Sequence, residues 1–102
     1  MRLSNKEIAA IKYAFQNTLT MPFSLYLFGS RTDDLKKGGD IDLLILVDTE
    51  HKQLVAELKS RIRLQIFEKI PEQRIDMTVA TWDESNNDPF LCDIMPDTIK
   101  IL

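Results

Sequence analysis

The order of the apolar runs constrains this chain most. Phe23 to Phe28 and Ile41 to Val47 are short apolar runs, the first bounded by Pro22 and Gly29. Their length and boundaries suit buried strands better than helices. Arg74 to Ala80, RIDMTVA, alternates Ile75, Met77 and Val79 against Arg74, Asp76 and Thr78, which is the period of a third strand. Between the second and third runs, Leu54, Val55, Leu58, Ile62 and Ile66 recur on one face of a helix that ends before Pro71, with Asp48 or Thr49 as its cap. A crossover of that kind is what two parallel strands require.

The rest of the chain fits around this frame. Ser4-Asn5-Lys6-Glu7 has capping-box spacing, Leu3 and Ile8 can staple the cap, and Ile8, Ile11, Phe15 and Leu19 continue at helical spacing until Met21-Pro22. Residues 31–39 are polar and end in Gly38-Gly39, so a loop with room for one helical turn is predicted. After Trp82 the acidic DESNNDP reads as loop, Pro89 to Met95 as a short helix, and TIKIL as a terminal segment. The expected fold is α/β, one domain over residues 1–102, with a mixed β-sheet and helices packed mainly on one face.

Composition excludes several classes of function. A formal charge of -3 argues against gripping bulk nucleic acid, and 44% apolar residues argue against disorder. Cys92 is the sole cysteine, so no internal disulfide forms, and the longest aliphatic run, Leu43 to Val47, is far short of a membrane span. The polar, helix-starting N-terminus does not resemble an export signal, and a cytoplasmic protein is expected. At 102 residues the chain supports one modest core, so a partner or a second copy in a homodimer is a candidate to complete it.

Two aspartates stand at the start of the second strand. Alternation puts Asp40 and Asp42 on the same face, with α-carbons about 6.5 to 7 Å apart. Carboxylates so close repel, unless a cation sits between them or water solvates them. Magnesium suits such a pair, because it takes a few carboxylates and completes its shell with water and phosphate oxygens. Gly29-Ser30 closes the first strand, where a turn can present amides and a hydroxyl to phosphate, and Arg31 adds a charged fork. If the end of the first strand faces the start of the second, these two run antiparallel. Asp76, near the start of the third strand, joins them if that strand runs parallel to the second. Asp40, Asp42 and Asp76 then converge at one edge of the sheet. Lys36 and Lys37 read equally as phosphate contacts or as a solvated loop. His51 reads as a surface residue at a helix start, Met21, Met77 and Met95 as core or loop filling, and Cys92 as a small buried apolar residue.

Gly29-Ser30, nine residues, Asp40-Ile41-Asp42 and a later strand acid at Asp76 resemble the pattern of a minimal nucleotidyltransferase of the DNA polymerase beta superfamily, over nearly the entire chain. The resemblance implies a small nucleotidyltransferase-like α/β fold. It further implies that Gly29, Ser30 and Arg31 bind a nucleoside triphosphate such as ATP, and that Asp40, Asp42 and Asp76 are the catalytic acids and hold two Mg2+ ions. Small members of this family accompany a helical HEPN-domain toxin and act as its antitoxin, transferring AMP onto a tyrosine of the toxin. That partner and role are the expectation here. The nine intervening residues depart from the family in carrying Asp33, Asp34 and Gly39 where relatives have a more basic loop. Two other functions remain open: an inactive fold that neutralises its partner by covering it, and a nucleotidyltransferase acting on a small molecule.

Overall fold

The computed structural model describes residues 3–29 and 40–102. Helix α1 spans Asn5–Thr18, and Ser4 caps it as predicted: the Ser4 hydroxyl accepts from the Glu7 amide, and the Glu7 carboxylate accepts from the Ser4 amide. The helix ends at Thr18, before Met21-Pro22 is reached. Strand β1 is Ser24–Phe28 and β2 is Ile41–Val47. A 3-10 turn, Thr49–His51, leads into α2, Lys52–Phe67. Asp48 stands at the cap position of that turn without a capping side-chain bond. Strand β3 is Ile75–Thr81.

The segment predicted as acidic loop is a helix instead. Thr81 and Glu84 form a second capping box, and α3 runs over Trp82–Asn87. Lys52 of α2 donates to Glu84 at 2.9 Å, and this bond, with the Thr81 amide, holds the Glu84 carboxyl below its ordinary pKa. Asp88 then caps α4, Pro89–Ile94, with Pro89 in the first turn, where its missing amide costs nothing. After a 3-10 turn, Met95–Asp97, the terminal segment forms a short strand, β4, at Ile99–Lys100.

The sheet order is β3-β2-β1-β4. As expected, β1 and β2 are antiparallel, so that the end of one faces the start of the other, and β2 and β3, joined by the crossover helix, are parallel. Alternation along β2 sorts its side chains onto two faces. Ile41, Leu43, Ile45 and Val47 pack into the main core with Leu25 and Leu27, with Ile11, Ala14 and Phe15 of α1, and with Val55, Ile62 and Ile66 of α2. On the other face Leu44 and Leu46 form a smaller cluster with Ala80 and with Leu91 of α4, flanked by Tyr26, Phe28 and Trp82. The two long helices thus cover one face, and the short helices cover only the far end of the other.

Two sequence expectations fail locally, and a third, the surface histidine at a helix start, holds in part. Leu54 is exposed at 45%, because Val55, Leu58, Ile62 and Ile66 already make the inward stripe and Leu54 lies about 100° off Val55. Cys92 is exposed, with its thiol donating to the Ser85 carbonyl at 3.6 Å, since α4 buries only Leu91. His51 is only partly exposed, and its Nδ1 is buried without a hydrogen-bond partner.

Candidate active site

The face of β2 that carries Leu44 and Leu46 also carries Asp42, half-buried where those two leucines are fully buried. The register runs straight across three strands: Phe28 of β1 lies opposite Asp42, and Asp42 opposite Asp76 of β3. Asp40 immediately precedes β2. The Arg74 carbonyl accepts from the Ile41 amide at 3.1 Å, which ties the two strand starts together. The three predicted acids therefore gather at one end of the sheet, on its open face.

Gly29 follows β1 with φ +80°, a conformation that favours glycine. Its position has a second requirement. A Cβ there would collide with the Asp42 Oδ2 and stand 3.2 Å from Asp42 Cγ. The missing side chain is what allows the strand end to close down on the Asp42 carboxylate. Ser30 and Arg31, with Lys36, Lys37 and the rest of the predicted loop, lie outside the described residues.

Among the described residues, Arg74 is the base that faces the three acids. Burial pushes the Asp42 carboxyl above the usual carboxylate range, and Asp76 and Asp40 push it further, while the Arg74 guanidinium offsets part of this. Arg74 Nε lies 3.3 Å from Asp76 Oδ2 and 3.8 Å from Asp40 Oδ2. Asp40, Asp42 and Asp76 offer the oxygen donors that a hard divalent cation such as Mg2+ takes, but their donor atoms do not converge into a set of three as closely spaced as that of Asp48, Glu50 and His51. The like-charge strain on Asp42 is what such an ion relieves. Arg74 is the neighbour that the site reading omitted. The signal was present, because RIDMT places Arg74 and Asp76 on the same side of the strand.

A second group of potential ligands lies at the opposite end of β2. Atoms of Asp48, Glu50 and His51 fall within 4.8 Å of one another. This group stands away from Asp42 and Asp76, on an exposed turn whose carboxylates are open to water. His51 Nδ1 approaches Asp48 at 3.9 Å and Glu50 at 4.0 Å, too far for hydrogen bonds.

Among solved structures, the chain is similar to a candidate nucleotidyltransferase from Sulfolobus solfataricus, with 19% identity over 93% of this chain and 81% of that one and a TM-score of 0.46. No curated protein matches it. The sequence profile described as "Nucleotidyltransferase domain" matches residues 8–101, which take in all three acids, Gly29 and every strand of the sheet. The chain belongs to the nucleotidyltransferase domain family.

Proposed function

We propose that this protein transfers a nucleoside monophosphate, AMP from ATP, to a hydroxyl acceptor, and that the acceptor is a tyrosine of a helical HEPN-type toxin that it thereby neutralises. The observation that carries the transferase reading is the row Phe28, Asp42, Asp76, with Gly29 closed onto Asp42. Support for the antitoxin role is the resemblance of Gly29-Ser30, Asp40-Ile41-Asp42 and Asp76 to the pattern of small family members.

In this reading Asp40, Asp42 and Asp76 would hold Mg2+, which would polarise the phosphate oxygens and offset charge in the transition state. Gly29, Ser30 and Arg31 bind the triphosphate and orient its α-phosphorus. The acceptor oxygen forms a bond to that phosphorus as the bond to the bridging oxygen of the β-phosphate breaks, and pyrophosphate departs. The hydroxyl proton passes to the carboxylate of Asp76, which is half exposed beside Asp40 and Asp42. Backbone closure at Gly29 keeps a methyl-sized obstruction away from Asp42.

The test is incubation with Mg2+, ATP labelled at the α-phosphate, and the helical partner. Label should appear on the partner and be lost, by roughly 100-fold or more, in Asp42→Asn. If no nucleotide labels the partner while neutralisation survives Asp42→Asn, the protein acts by covering its partner instead.

A further inference from the structure

Arg74 sits among the acids in a way that a mere surface residue does not. Its backbone is fixed by the bond from the Ile41 amide, yet its side chain is 71% exposed. Its Nε faces two carboxylates at once, Asp76 at 3.3 Å and Asp40 at 3.8 Å, one on each side of the β2–β3 seam. Nε is the point of approach in both pairs, and neither contact is a hydrogen bond, so the guanidinium does not grip either carboxylate with the two-pronged geometry that makes arginine pairs strong. Exposed ion pairs of this kind are weak. A divalent cation, with its doubled charge and preference for oxygen ligands, outcompetes such a contact for the same oxygens.

We propose that Arg74 is a displaceable counter-cation: it occupies the carboxylate cluster when no metal is present, and metal must expel it from Asp40 and Asp76 to bind. The proposal rests on the reading of Asp40, Asp42 and Asp76 as the metal-holding acids. It makes Arg74 a positioning residue that keeps the acids gathered between turnovers and sets how tightly metal is held. With its side chain 71% exposed, Arg74 would have room to turn into solvent when Asp40 and Asp76 are taken up by a cation.

The experiment is a titration of the full chain with Mn2+ alone, followed by the electron paramagnetic resonance signal of the free ion, at low salt and neutral pH. Four proteins are compared: wild type, Arg74→Gln, Arg74→Lys and Asp42→Asn, with thermal melts confirming that each is folded. Arg74→Gln should bind Mn2+ about two- to tenfold more tightly than wild type, the range that two exposed ion pairs supply. Arg74→Lys should fall close to wild type, and added salt should narrow the gap by screening the arginine. Equal or weaker binding by Arg74→Gln, with binding still abolished in Asp42→Asn, overturns the role of Arg74 and leaves the metal site standing. Absence of Mn2+ binding in every protein, or full binding retained in Asp42→Asn, overturns the metal site itself and this proposal with it.

Discussion

Asp42 and Leu46 occupy the same face of the same strand, two alternation steps apart, and serve opposite ends. Leu46 is 1% exposed beneath α3 and α4, in a cluster with Leu44, Ala80 and Leu91. Asp42 lies two alternation steps nearer the strand start, where burial, with Asp76 and Asp40 beside it, pushes its carboxyl toward the protonated form. The far end of the strand is packed to hold the sheet. The near end places like charges side by side, which a fold selected for stability alone would avoid. The sheet core thus acts as a rigid mount for a cluster of like charges, which a bound cation would offset.

Substitutions at the two ends should therefore move stability in opposite directions. The largest effect is expected for Leu46→Ala, which leaves a cavity under the short helices and should cost about 2–5 kcal/mol in urea unfolding. A cost below roughly 1 kcal/mol would mean that α3 and α4 collapse onto the gap and that this face is not the firm half of the mount.

Asp42→Asn should instead raise the melting temperature in metal-free buffer, by less than Leu46→Ala lowers it. The sign follows from the direction of the shift. A carboxyl whose pKa is raised on folding binds protons more readily in the folded state, so wild-type stability falls as pH rises from the ordinary carboxylate value through the raised one. The gain from Asp42→Asn should be complete at neutral pH and vanish in acid, where Asp42 is protonated in both states. Melting curves across that window check this. A gain that persists unchanged in acid would assign the effect to something other than charge. Mg2+ should reverse the order at neutral pH, stabilising wild type and leaving Asp42→Asn unmoved.

Much of this contrast was legible in the sequence. IDLLILV and RIDMTVA declare strands by length and alternation, and the helical stretch between them requires that they run parallel. From that topology Asp42 falls beside Asp76, which the register confirms. The gaps arose where tertiary context outweighs local composition. DESNN looks like loop because it is acidic and polar, but the Thr81-to-Glu84 spacing is a capping box, and Lys52, distant in sequence, secures Glu84. The exposure of Cys92 depends on how little of α4 reaches the sheet, which no residue type announces. Arg74 was visible as a strand residue on the acidic side. Its double contact depends on Asp40 lying across the seam, which only the packed strand starts establish.

The two ends of β2 also offer rival places for a metal ion: Asp40, Asp42 and Asp76 at one, and Asp48, Glu50 and His51 at the other. A crystal of the protein with Mn2+ and a non-hydrolysable ATP analogue separates them through the anomalous scattering of manganese. The predicted result is a peak between Asp42 and Asp76, bridged to the triphosphate beside Gly29, with Arg74 turned away. A peak confined to Asp48, Glu50 and His51, with the Asp42 end still held by Arg74, would contradict the assignment of the active site.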